Sequence, residues 1–205
     1  MLQPCYINGL EKKGFEVLGI PLAPLTLYHM RCLYAADSPF VVESEGVTVE
    51  GLVQAALICT HPTRRELDAF MSRAFGDAIL NFVLSLPEDT DYTKECKVFQ
   101  EYIEHYTESP ARLSPQQTAD TLHAPWWGMT KSFLCAEAGY TNEEAWDCVV
   151  CEAFAEMAWS GARNGDKSLV SEYAFLLKKK YEAGEMKPMS QDEIRAAMKG
   201  ETPNG

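Results

Sequence analysis

The chain lacks the short motifs by which several large enzyme classes are recognised. It contains no GxxxxGK[ST] phosphate loop, no GxGxxG dinucleotide turn, no GxSxG nucleophile elbow and no HExxH zinc motif. Its longest apolar stretch, at residues 52–59, is interrupted by Gln54 and is far short of the roughly 20 residues that a bilayer span requires. No internal repeat and no low-complexity tract is present. The sequence therefore predicts an ordinary globular protein without a membrane crossing.

A secretory signal pattern is also missing. Lys12 and Lys13 follow the first few apolar residues instead of preceding them, and no uninterrupted apolar h-region occurs there. The seven cysteines are odd in number and scattered along the chain. We therefore expect a cytoplasmic protein whose cysteines are reduced and act as small buried hydrophobic residues.

Positive charge is scarce in the first three quarters of the chain. The 205 residues carry 18 Lys and Arg against 30 Asp and Glu, a net charge of -12. Residues 1–159 hold 10 basic and 23 acidic residues, whereas residues 160–205 hold 8 and 7. Such a charge disfavours nucleic acid and anionic membranes as partners. The acidic excess has two possible interpretations. The acidic residues either cover solvated helix faces or form a surface that attracts a basic or amphipathic partner.

Helical periodicity and helix caps dominate the N-terminal half. Thr26 and Thr48 are each placed to cap a helix, and the first helix ends at the breaker Asp37-Ser38-Pro39. Apolar residues alternate across residues 40–49, which predicts either a small β-hairpin or a loop. A capping box, Thr63 with Glu66, begins one long helix over residues 63–86 whose apolar stripe is assigned to the core. A helix over residues 92–106 follows and is expected to pair with it in antiparallel fashion.

The C-terminal half contains further helix signals. Residues 109–124 contain two prolines and predict a hinge with a short helix, and Pro125 then begins a helix over residues 126–138 that Gly139 ends. A capping box, Thr141 with Glu144, begins a helix that runs to about Ser160. Weaker helices are predicted over residues 169–182 and from residue 190.

These elements predict an all-α fold, a bundle of about six to eight helices with room for a small β-hairpin near residues 40–49. An N-terminal half at 1–108 and a C-terminal half at 125–205 flank the 109–124 hinge, and together they are expected to form one compact domain.

No residue pattern indicates a reaction, a cofactor or a metal. Cys148 and Cys151 have CxxC spacing, but no second ligand pair completes a zinc site, and a redox motif would sit at a helix N-terminus after a strand. The four histidines are far apart in sequence, and Glu101 with His105 lacks the Glu-x-x-His spacing of di-iron bundles. We therefore expect no catalytic residue, no metal and no cofactor.

The helix over residues 143–160 is apolar on two sides. Trp146, Val150 and Phe154 share one side, while Cys151 and Trp159 lie on the other, with acidic residues on both flanks. Such a helix is either sandwiched inside its own protein or docked by a partner. In the second case an acid-flanked groove would receive an amphipathic helix. The predicted partner-binding residues are Trp126, Trp127, Cys148, Cys151, Ala155 and Trp159.

Several stretches of the chain resemble the small helical tail assembly chaperones of tailed phages and prophages. They are GIPLAPLTLYH at residues 19–29, DSPF at 37–40, LICT at 57–60, WW at 126–127, AGYTNEEAW at 138–146 and LVSE at 169–172. The resemblance implies a non-enzymatic factor in the cytoplasm of a bacterial host that binds the tape-measure protein during tail assembly.

Two alternatives accompany this hypothesis. One is a structural head-tail or tail component that stays in the virion. The other is a cytoplasmic helical enzyme with a site around His61, His105 or the cysteines. Assembly into a homo-oligomer is also left open.

Overall fold

The computed structural model describes residues 13–42, 46–73, 75–108 and 125–165. These residues form a predominantly helical fold with one small antiparallel hairpin, which confirms the predicted fold class. In chain order the elements are β1 (Phe15–Val17), β2 (Ile20–Leu22), α1 (Leu27–Ala35), α2 (Val49–Ile58), α3 (Arg64–Arg73), α4 (Phe75–Ser85), α5 (Tyr92–Thr107), α6 (Trp126–Ala136), α7 (Asn142–Asp147) and α8 (Val150–Arg163).

The hairpin precedes α1 and does not lie near residues 40–49. Its strands pair Phe15 with Leu22, and the two residues at its tip, Leu18 and Gly19, have φ values of +54° and +76°. Two consecutive positive φ angles are the geometry of the tight hairpin turn, which glycine adopts without strain. At the predicted position, residues 40–42 and 46–48 form no strand, and residues 43–45 lie outside the described part of the chain.

Helices α1 and α2 begin at the predicted threonines. The Thr26 hydroxyl accepts a hydrogen bond from the His29 amide at 3.2 Å, and the Thr48 hydroxyl accepts one from Gly51 at 3.0 Å. The imidazole of His29 completes a capping box, since its Nδ1 accepts from the Thr26 amide at 3.1 Å. Both helix starts follow from local chemistry, because a threonine at the cap satisfies an amide that the helix leaves free.

The helix predicted over residues 63–86 is described as two helical segments, because residue 74 lies outside the described residues. Segment α3 is described to Arg73 and α4 from Phe75. Helix α3 packs against α7, whereas α4 packs mainly against α2. Of the apolar stripe that was assigned to the core, Leu67 and Ile79 are buried, and its other members are half-buried, namely Met71, Phe75, Ala78, Phe82 and Leu86.

Helix α5 has different neighbours from those predicted. It begins after Asp91, whose carboxylate accepts from the Lys94 amide at 3.1 Å, but it packs against β1, α8 and α2 instead of pairing with α4. The buried side chain of Tyr102, on α5, donates a hydrogen bond from its hydroxyl to the Ala23 carbonyl oxygen at 2.8 Å. The connection between α4 and α5 is short, yet the aromatic side of α5 packs on the hairpin, where the Phe15 and Tyr102 ring centroids lie 5.5 Å apart.

The C-terminal helix predicted to run from residue 142 to about residue 160 is interrupted. After α7, Cys148 and Val149 adopt extended backbone angles, and Val149 pairs with Thr26 in an isolated antiparallel bridge. Leu27 donates to the Cys148 carbonyl at 3.0 Å, and Val150 donates to the Leu25 carbonyl at 2.8 Å. These long-range hydrogen bonds replace helical ones, so the two-sided helix of the prediction does not exist as one continuous element.

One hydrophobic cluster includes side chains from both predicted halves. Leu33 and Phe99 come from the N-terminal half, and Leu134 and Val150 come from the C-terminal half. Helix α8 contacts both α5 and α6. The predicted hinge and the helices predicted beyond residue 165 lie outside the described residues.

Candidate partner-binding surface

Three of the six predicted partner-binding residues lie in the interior. Cys148, at the α7–α8 break, and Cys151 and Ala155, on α8, all belong to the hydrophobic core cluster. Their side chains face the rest of the protein, so in this structure they present almost no surface to a partner.

The three predicted tryptophans are more accessible. Trp126 is half-buried against Phe154, with ring centroids 5.5 Å apart, and Trp127 packs 5.9 Å from Trp146. Trp159 is 39% exposed near the end of α8. The structure thus does not bring all six residues into one groove, and partner binding at the tryptophans stays a prediction.

The buried cysteines have raised pKa values. Burial raises the pKa of Cys59 and of Cys148 to about 12 and that of Cys32 and Cys151 to about 11, and nearby carboxylates reinforce the effect at Cys148 and Cys151. A nucleophilic thiol needs the opposite shift, toward the thiolate. The described cysteines are free thiols.

The histidines near α1 serve the fold. Burial lowers the pKa of His29 to about 4, and its Nε2 lies 2.7 Å from the His61 carbonyl. Since Nδ1 accepts from Thr26, the neutral ring donates from Nε2. His61 stacks on Phe70 at 4.5 Å and contacts the Thr60 hydroxyl through Nδ1 at 2.8 Å. Each of these ring nitrogens therefore already has a structural partner.

No group of three or more His, Cys, Asp or Glu side chains in the described segments is arranged to hold a metal ion. None of the helices in these segments combines the length and hydropathy of a transmembrane helix.

A cluster of cations and aromatic rings joins α1, α3, α6 and α7. The Arg31 guanidinium lies 5.5 Å from the Tyr28 ring and 5.4 Å from the Trp146 ring, and the Lys131 ammonium lies 5.9 Å from Trp146. The Tyr28 hydroxyl donates to Asp68. Such contacts add stability where four helices meet.

The most exposed large apolar side chains lie on α4, and the sequence analysis missed them. Leu80 is 59% exposed and Leu84 is 75% exposed. They are four residues apart, so they lie one above the other on a single face of the helix. The half-buried Val83 adjoins them. We call Leu80, Val83 and Leu84 the outer face of α4.

The opposite side of α4 explains why this face is free. Ile79 is buried, and Phe75 and Phe82 are half-buried, on the arc that faces the rest of the protein. At 100° per residue, Leu80 and Leu84 lie roughly opposite this arc. The helix is therefore apolar on both sides, and that pattern was the available signal in the sequence.

The surroundings of the outer face are acidic. Residues 46–60, which include α2, and residues 75–93, which include α4, contain no Lys, Arg or His. Their carboxylates are exposed and form what we call the acidic rim, namely Glu50, Asp77, Glu88, Asp89 and Asp91. Between Phe75 and Thr93 the chain thus carries only negative charge, and Arg73 and Lys94 are the nearest cations along the sequence.

A cavity of about 270 Å³ adjoins the same region. It lies between the end of α1, the start of α2 and Ile79 of α4, and it is lined by the carboxylates of Asp37 and Glu50 and the amide of Gln54. No cation lines it. The acidic character of the rim therefore continues into the space between α1, α2 and α4.

Comparisons with protein-family models, with curated proteins and with solved structures find no match to this chain.

Proposed function

We propose that this protein is a non-enzymatic assembly factor that binds amphipathic helical segments of another polypeptide. By the resemblance given above, that polypeptide is the tape-measure protein of a tailed phage, and the protein acts as its tail assembly chaperone in the host cytoplasm.

The observation that carries the proposal is the outer face of α4. Two leucines that are mostly exposed, one helical turn apart, present a ridge that the described part of the chain leaves uncovered. An exposed apolar ridge favours aggregation unless a partner uses it. Helix-in-groove and helix-on-helix contacts are made by such i and i+4 side chains.

The net charge of -12 supports the same role. Long helical chains expose apolar stripes before they assemble, and they aggregate through them. A partner that covers a stripe while it adds negative charge keeps the complex soluble, because like-charged complexes repel each other. Neither task requires a catalytic group.

Pull-down with fragments of a tape-measure protein from the same genome tests the proposal. The variant Leu80→Glu/Leu84→Glu removes the ridge and should abolish capture, while Asn81→Glu adds a charge elsewhere on α4 and should leave it intact. Circular dichroism should show that both variants are folded, since the substituted residues are exposed. Equal capture by wild type and by the double variant would exclude the outer face as the binding surface.

The tryptophans predicted from the sequence are tested in the same assay. Trp159→Glu should leave the protein folded and should weaken capture if the end of α8 contributes to the surface. Loss of folding in this variant would instead assign Trp159 to the interior.

The enzyme alternative requires a different measurement. A stoichiometric metal in the purified protein, or one thiol that titrates well below the usual cysteine pKa, would favour it over the assembly factor. The described geometry offers no specific observation in favour of this alternative or of a virion component.

A further inference from the structure

We propose that the outer face of α4 selects helices that carry Lys or Arg beside their apolar stripe. This inference rests on the proposed function and specifies the chemistry of the partner. Its basis is the pairing of two leucines, Leu80 and Leu84, with a rim that contains carboxylates and no cation.

Carboxylates lie at both ends of the leucine ridge. Asp77 is on the first turn of α4, one turn before Leu80, and Glu88 and Asp89 follow the last turn, after Leu84. A helix laid along the ridge would therefore meet carboxylates at each end, with Arg73, four residues before Asp77, as the nearest cation along the sequence. Basic side chains on the flanks of the bound helix would form ion pairs with these carboxylates, whereas acidic side chains would be repelled by them. Attraction and repulsion would therefore both favour a basic helix over an acidic one.

The test uses three synthetic helical peptides that share one leucine stripe and differ at two flanking positions, which are Lys, Gln or Glu. Binding to the intact protein is measured by isothermal titration calorimetry. We expect the Lys peptide to bind about fivefold more tightly than the Gln peptide, as for one or two partly exposed ion pairs. The Glu peptide should bind more weakly than the Gln peptide. The preference for Lys should shrink as salt is raised.

A rim variant and a charge-matched control identify the source of the preference. Asp77→Asn/Glu88→Gln/Asp89→Asn should bind the Lys and Gln peptides with equal affinity. The variant leaves Asp91 in place, because Asp91 caps α5.

The control, Glu101→Gln/Glu137→Gln/Glu143→Gln, removes as many charges from exposed positions elsewhere. It should keep the wild-type preference for the Lys peptide. An equal loss of preference in the control would mean that overall charge, and not the rim, selects the partner, and it would overturn the inference.

Two further results separate this inference from the proposed function. If all three peptides bind equally and Leu80→Glu/Leu84→Glu abolishes their binding, charge selection is refuted while helix binding on the ridge stands. If no peptide binds and tape-measure fragments are not captured, both proposals are overturned.

Discussion

Thr26 and Val149 lie opposite each other in an antiparallel bridge, although one precedes the first helix and the other precedes the last described helix. Hydrogen bonds on both sides of the pair join Leu27 to Cys148 and Val150 to Leu25. The bridge therefore fixes the starts of α1 and α8 against each other inside the core. Thr26, whose side chain also caps α1, acts in both local and long-range structure.

Replacing the buried cap at Thr26 should cost more than replacing an exposed one. Thr26→Ala leaves the buried His29 amide without its acceptor and should lower the free energy of unfolding by about 2 kcal/mol. Thr48→Ala is the matched control, because water can reach the Gly51 amide at this exposed cap, and about 1 kcal/mol is expected. Urea unfolding monitored by circular dichroism measures both. Equal losses would indicate that burial does not strengthen the Thr26 cap.

Helix starts could be predicted from the sequence because their causes are local. Thr26, Thr48 and Thr141 each cap a helix as expected, and Thr141 forms the predicted capping box with Glu144. Three or four adjacent residues decide such a hydrogen bond, so no knowledge of the fold is required.

The break between α7 and α8 could not be predicted in the same way. The extended residues Cys148 and Val149 are held by hydrogen bonds to Leu25 and Leu27, which are remote in sequence. The hairpin was missed because its turn residues, Leu18 and Gly19, lack the Asn-Gly or Asp-Gly signal. Tertiary pairing thus overrode the continuous helical periodicity of residues 142–160.

The candidate surface was missed for a related reason. Periodicity shows that Leu80 and Ile79 lie on different sides of a helix, but it does not show which side the protein covers. That choice depends on α2, which packs on the Ile79 side. The predicted groove was expected to include Cys148, Cys151 and Ala155, but the α7–α8 break and the neighbouring helices place these three residues in the core.

His29 should make the protein less stable in acid. Its pKa is lowered to about 4 by burial, while an unfolded histidine titrates near 6.5, so the unfolded chain binds the extra proton between these values. The contribution of His29 to the free energy of unfolding is therefore complete above pH 6.5. It is lost as the pH falls toward 4, and the loss reaches up to about 3 kcal/mol. His29→Gln, which keeps a donor and an acceptor, should show a correspondingly smaller fall between pH 7 and pH 4.

NMR provides an independent test of the same assignment. The ring protons of His29 should titrate near pH 4 in the folded protein. Titration near 6.5, together with an unchanged acid dependence in His29→Gln, would show that this ring is not buried in its neutral form.

Two glycines around α6 should respond to alanine in opposite directions. Gly139, after the helix, has a φ of +79°, which strains any residue with a Cβ, so Gly139→Ala should destabilise the protein by about 1 kcal/mol. Gly128 is helical with open space around its Cα, so Gly128→Ala should stabilise by about 0.5–1 kcal/mol. Thermal unfolding compares the two variants. Destabilisation by Gly128→Ala would indicate steric contacts at Gly128, and unchanged stability in Gly139→Ala would show that a Cβ is tolerated at this positive φ.

Thiol labelling should separate the described cysteines into two classes. Cys96 and Cys135 are half-buried, whereas Cys32, Cys59 and the Cys148–Cys151 pair are buried. Burial slows labelling in two ways. It keeps the reagent away from the thiol, and it raises the thiol pKa, which lowers the fraction of the reactive thiolate. In a Cys5→Ser background, a disulfide reagent at pH 8 should label the half-buried pair first.

The remaining thiols should react only as fast as the protein opens. Their labelling rate should rise with urea in parallel with global unfolding, because they lie within the same core cluster as Leu33 and Val150. Cys96→Ser/Cys135→Ser should remove the fast phase and leave the slow one unchanged. Rapid labelling of Cys148 or Cys151 in the folded protein would contradict their burial. It would also mean that the face of α8 that carries Cys151 is accessible to a partner.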